Sequence, residues 1–159
     1  MKRAAVVMAG AVWLGLAAPA GAVQSPEWLV GEIYASIGKP AAEAHYWLSR
    51  MMAPARRQDY FTAELVEVLQ DTDHDEWCLE GIGAVDGNSF DPDEIHRTLV
   101  IEGEPLGEGY RVDACFMNHG MPNHRRFEFV STPAGWRIAD LLVPAEGGGA
   151  RWRLSEVRC

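Results

Sequence analysis

The chain has 159 residues, 23 of them acidic and 14 basic, for a formal charge of −9 at neutral pH, and 48% of it is hydrophobic. A surface so negative repels nucleic acid and anionic lipid and attracts basic proteins or cations, so nucleic acid is not an expected partner. The length suits one domain around one hydrophobic core.

The chain opens MKRAAVVMAGAVWLGLAAPAGA, with Lys2 and Arg3, an apolar run to about Ala18, and small residues at Ala20 and Ala22 around Gly21. This is the pattern of a secretory signal peptide over residues 1–22, with the mature chain starting near Val23. The apolar run is short for a spanning helix and is closed by Pro19, so no integral membrane segment is expected after the leader is removed. Losing Lys2 and Arg3 leaves 12 basic against 23 acidic residues, a formal charge of −11. Residues 23–159 then read as a single exported α+β domain, periplasmic or secreted.

Three helices are predicted first. SPEWLVGEIYASIG has Ser25 as N-cap, Pro26 at the first helical position and Gly38 with Pro40 as a stop, and Trp28, Leu29, Ile33 and Ile37 share one face. Ala41 to Ala53 forms a second apolar helical stretch ending at Pro54. The third starts after Thr62, with Leu65, Val66 and Leu69 turned inward. Residues 71–96 are densely acidic and lack a period, and they read as a long connection with turns at Asp86-Gly87-Asn88 and Asp91-Pro92.

About four antiparallel strands follow. RTLVIEG from Arg97 is rich in β-branched residues, and EGEPLGEG from Glu102 to Gly109 reads as turn chemistry. Tyr110, Val112, Ala114 and Phe116 then alternate with Arg111, Asp113, Cys115 and Met117, as in a half-buried strand. Phe127 and Phe129 continue the alternation in the next strand, and Trp136, Ile138 and Leu141 in the one after the Thr132–Gly135 turn. The expected architecture is N-terminal helices packed on a curved antiparallel sheet. The tail after Glu146 is too short to assign.

Helices followed by a sheet ending in Gly-Trp-Arg-Ile-x-Asp resemble the cone-shaped nuclear transport factor 2-like superfamily. The exported start, F-T-x-x-L at Phe61 to Leu65, D-G-N-x-F-D at Asp86 to Asp91 and the GWRIADLLV strand resemble domain of unknown function 3828, a family of bacterial envelope proteins. That resemblance implies the fold and an envelope location and carries no catalytic residues. Enzymes elsewhere in the superfamily use Tyr and Asp, or His and Asp, inside the cone, and those positions have no match here.

Four sets of residues bear on function. Asp140 stands at a strand end, where a carboxylate in a cone mouth could act as a base; the alternative is an acceptor for backbone N–H or an arginine. Met117, His119, Met121 and His124 crowd one turn, MNHGMPNH, and thioether with imidazole suits Cu(I), although Gly120 and Pro122 explain the turn without metal. Asp71, Asp73 and Asp75 start like a calcium loop, but Glu76 and Ile82 break its pattern. Of Cys78, Cys115 and Cys159, at most one intramolecular bond can form, and Cys78 with Cys159 is the expected pair because it ties down a terminus. No nucleophile motif, phosphate loop or dinucleotide fingerprint is present. The expectation is a non-enzymatic exported domain, without cofactor, binding another envelope protein, a cationic secreted protein or a small ligand. A small-ligand binder or isomerase-like enzyme using the cone, and copper binding at the turn, are the alternatives.

Overall fold

A computed structural model describes residues 25–39, 51–71, 84–85 and 89–158. The leader, most of the second expected helix, most of the acidic connection, Cys78 and Cys159 lie outside these residues.

Helix α1 spans Pro26–Ala35. Ser25 is extended and its Oγ accepts from Trp28 N at 3.1 Å, while Pro26 occupies the first turn, where its missing N–H costs nothing. Leu29, Val30, Ile33 and Tyr34 are buried, whereas Trp28 falls beside that stripe and is 41% exposed. A short helix α2, Arg57–Tyr60, was not legible in the sequence. Phe61 then leaves it extended, bridging to Ile138, with Thr62 N donating to the Ile138 carbonyl at 3.0 Å. Helix α3, Ala63–Asp71, starts as expected after Thr62, whose Oγ1 accepts from Leu65 N at 3.3 Å, and it buries Leu65 and Leu69.

The end of the expected connection is a helix, α4, Pro92–Thr98. Asp91 caps it by accepting from Glu94 N at 3.0 Å, and Pro92 sits at its start. Only Ile95 is buried on it, so there is no apolar period to read, although the capping signal was in the sequence. Arg97 and Thr98 therefore close a helix and do not open the sheet.

The sheet is a five-stranded antiparallel meander in chain order: β1 Val100–Leu106, β2 Gly109–Asn118, β3 Met121–Thr132, β4 Gly135–Pro144 and β5 Ala150–Arg153. Two expectations change here. Most of EGEPLGEG is strand, turning only at Gly107 and Glu108, and the tail supplies β5 and a 3-10 turn, Leu154–Glu156. The sheet is open, with β1 and β5 at opposite edges, so the helix-on-sheet expectation holds while the nuclear transport factor 2-like cone is not established.

Val112, Ala114, Phe116, Phe127, Phe129, Ile138 and Leu141 face the helices and are at most 3% exposed. Fully burying each large apolar side chain contributes about 1.5–3 kcal/mol, so this face carries much of the stability. Ile138 and Leu141 are three residues apart, yet both point inward. A bulge between Glu128 and Phe129 in the β3–β4 ladder absorbs the odd residue. Tyr34 seals the α1 side, its ring centroid 5.2 Å from that of Phe116 and its hydroxyl donating to the Ala84 carbonyl at 2.8 Å.

Gly109 opens β2 beside the backbone of β3, and an added Cβ would collide with the Phe129 carbonyl oxygen. That oxygen belongs to the backbone and cannot swing away. Gly109→Ala is expected to cost about 1–3 kcal/mol, read as a lowered urea midpoint with unchanged slope.

Candidate functional site

One face of the sheet is covered by the helices, and the other carries alternate, mostly charged residues. Pairing puts Val100, Glu102 and Glu104 of β1 opposite Cys115, Asp113 and Arg111 of β2, and these opposite His124, Arg126 and Glu128 of β3. The face extends through Asp140 and Leu142 of β4 to Arg153 of β5.

Asp113 is the hub of this face. Arg126 donates through Nε to Oδ1 at 2.8 Å and through Nη2 to Oδ2 at 3.2 Å, and His124 Nε2 lies 2.7 Å from Oδ1. Arg111 approaches through Nε at 3.8 Å while its Nη2 pairs with Glu104. Partial burial would raise the Asp113 pKa, but the arginine fork and the imidazole outweigh it and hold the carboxyl below the usual range. A depressed folded pKa stabilises the fold above the unfolded value, and the contribution disappears as pH falls through the folded pKa. The stability gap between wild type and Asp113→Asn should therefore be on the order of 1 kcal/mol at pH 7, given partial solvent screening, and close in strong acid. Paired urea melts across the acid range check it; a gap that widens on acidification has the wrong sign.

Asp140 is 5% exposed, and four hydrogen bonds converge on its carboxylate. Leu141 N at 2.9 Å and Ser155 N at 3.0 Å donate to Oδ1, and Arg153 Nη1 and Ser155 Oγ, each at 2.8 Å, donate to Oδ2. Arg153 also reaches Glu128 at 3.6 Å. Both oxygens are committed as acceptors, and the group holds the 3-10 turn onto β4. Glu102, Glu104, Asp113, Glu128 and Asp140 are thus interleaved with Arg111, Arg126, Arg151 and Arg153, and charge on this face is largely balanced.

Among the described residues, negative charge that is not balanced in this way lies elsewhere. On α3, Glu64, Glu67 and Asp71 are exposed along one side, and no basic residue stands in the last turn. Two shallow grooves indent the open sheet face: one of about 520 Å³ lined by Glu102, Gly103, Glu104, Arg111 and Asp113, and one of about 380 Å³ whose lining includes Cys115, Met117 and His124.

The residues of the MNHGMPNH turn do not converge. His119 and Gly120 form a two-residue hairpin turn, both with positive φ, between the paired Asn118 and Met121. His119 Nε2 lies 3.1 Å from Ser89 Oγ, Met121 is 66% exposed at the tip, and Met117 and His124 lie on the open sheet face. Among the described residues no group of three or more His, Cys, Asp or Glu is placed to hold a metal ion. The Cys78–Cys159 pair and Asp73 with Asp75 fall outside the described residues; Cys115 is a free, exposed thiol. Sequence reasoning missed Asp113, Arg126 and Cys115 as one constellation. Counting outward from a two-residue turn at His119-Gly120 pairs Cys115 with His124 and Asp113 with Arg126, so the signal was there.

No family model and no curated protein match the chain, which leaves the resemblance to domain of unknown function 3828 without support from either. A solved structure does match. It is a chain of the crystal structure of the type VI native effector-immunity complex Tae3–Tai3 from Ralstonia pickettii, with a TM-score of 0.50 and 16% sequence identity, covering 77% of this chain and 97% of that chain. At this identity the likeness concerns the fold alone: helices on one face of an antiparallel sheet. No described helix is long and apolar enough to cross a membrane.

Proposed function

We propose that this chain is an exported protein-binding domain that holds a basic partner protein, in the manner of an immunity protein meeting its effector. The observation that carries the reading is where the charge lies. The open sheet face neutralises its own carboxylates, whereas the side of α3 with Glu64, Glu67 and Asp71 leaves them facing solvent without a neighbouring helix cation. Unpaired charge of one sign on a rigid element steers an oppositely charged partner and sets its approach.

Two further observations support it. The inner face of the sheet is filled by Tyr34, Phe116, Phe127, Phe129 and Ile138, which favours a protein partner over a small ligand held in a cone. Asp140, the one carboxylate singled out as a base, is occupied by four donors. The fold likeness to a chain of an effector-immunity complex fits the same reading. The signal-peptide pattern of residues 1–22 supports an encounter in the periplasm or outside the cell.

The test is capture by the immobilised mature chain from envelope extract at low ionic strength. A basic protein should be retained, released as the Debye length shrinks at high salt, and lost when Glu64→Lys and Glu67→Lys are combined. The retained protein's own activity should fall when the chain is added back. Retention that is indifferent to salt and to the charge reversal, or no retention at all, refutes the proposal.

A further inference from the structure

Cys115 and Met117 are alternate residues of β2 and so project from the same, uncovered face of the sheet. Directly across the ladder from Cys115 stands His124, and all three line the groove of about 380 Å³ together with Val100, Pro122 and Asn123. Directly opposed residues in an antiparallel pair have Cα atoms about 4.5–5.5 Å apart, close enough for a thiol and an imidazole to meet one ion. We propose that Cys115, Met117 and His124 form a binding site for a soft, thiophilic metal ion, Cu(I) foremost.

The imidazole is already set for that role. Its Nε2 lies 2.7 Å from Asp113 Oδ1, and an ionised carboxylate only accepts, so Nε2–H donates to it and Nδ1 is the nitrogen left to offer a lone pair in the neutral ring. A carboxylate behind the far nitrogen is the arrangement that fixes tautomer and ring orientation in metal-ligating histidines. A thiol, a thioether and one imidazole make a donor set for a soft ion of low coordination number, unsuited to calcium or magnesium.

Charge balance fits as well. Binding exchanges the thiol proton for the metal, Cys–SH plus Cu(I) giving Cys–S–Cu(I) plus a released proton, so the net charge of the groove is unchanged. That suits a face whose Asp113, Arg126, Glu102 and Arg151 are already in balance.

The site differs from the one the turn residues alone would make, because His119 and Met121 are left out. Titrating Cu(I) anaerobically into the reduced chain against a chromogenic Cu(I) chelator tests it. Cys115→Ser should remove the tightest equivalent, Met117→Leu should weaken it about 10-fold or more, and the double variant His119→Ala/Met121→Leu should leave it unchanged. Adding one equivalent of redox-inert Ag(I) should shift the Met117 methyl resonance and leave that of Met121 in place, a readout independent of any variant's stability. Equal affinity in wild type and Met117→Leu with no shift at Met117 would mean a bare thiol binding metal adventitiously, and would overturn the site.

Discussion

Asp140→Ala should destabilise the protein by about 2–4 kcal/mol, the cost of leaving a guanidinium, a hydroxyl and backbone N–H groups without their shared acceptor in a mostly buried setting. The loss should be local in origin. Ser155 N, Ser155 Oγ and Arg153 Nη1 all terminate on this carboxylate, so its removal frees β5 and the 3-10 turn from β4. Amide exchange should accelerate first across Ala150 to Val157, ahead of the β2–β3 ladder. Asparagine should recover only part of the stability, because its amide presents a donor where two oxygens now accept. The outcome also separates two roles for the residue. A carboxylate kept for chemistry at a cost to the fold would leave stability unchanged or higher when removed.

Arg57→Leu should be at least as damaging, about 3–5 kcal/mol. Arg57 is 1% exposed, and its Nε donates to the Met52 carbonyl at 2.7 Å while Nη1 donates to the Leu69 carbonyl at 3.0 Å. One side chain thus ties the segment before α2 to the last turn of α3. Leucine fills part of the volume and takes a donor away from both carbonyls, at about 1–3 kcal/mol each. Lysine should rescue little, since a single ammonium on a flexible stem cannot reproduce the planar fork to two separate carbonyls. Urea midpoints of the two variants against wild type measure this. A Leu variant within about 0.5 kcal/mol of wild type would place Arg57 among surface residues, contrary to its burial.

These two residues show where sequence and structure part. Asp140 was visible as a strand-end carboxylate with two readings, and its partners Arg153 and Ser155 lie in a tail too short to carry a period. Arg57 was not visible at all, since an arginine in a polar segment reads as solvated, and burial of a charge is decided by what folds over it. By contrast, Ser25, Thr62 and the alternation from Tyr110 to Phe116 act through neighbours within a few residues, and there the elements fall where expected.

The functional constellation follows the same division. A two-residue turn at His119-Gly120 sets the β2–β3 register, so the opposition of Asp113 to Arg126 and of Cys115 to His124 is contained in the sequence once that turn is recognised. Met117, His119, Met121 and His124, close along the chain, are divided between the open sheet face and the hairpin tip for the opposite reason. In a hairpin, residues close in sequence alternate between faces, while residues far apart on paired strands share one.

By itself, the amino-acid sequence determined the acidic character, the signal-peptide pattern, the starts of α1 and α3 and the inward-facing residues of β2 and β3, because each depends on composition or on period and capping over a short span. Only the tertiary structure decided that the sheet has five strands and stays open, that residues 92–98 are helical, that Asp140 is an anchor, and which charges are neutralised by neighbours and which face solvent. Those outcomes rest on pairing and burial between segments distant along the chain, and a local pattern holds no record of what will pack against it.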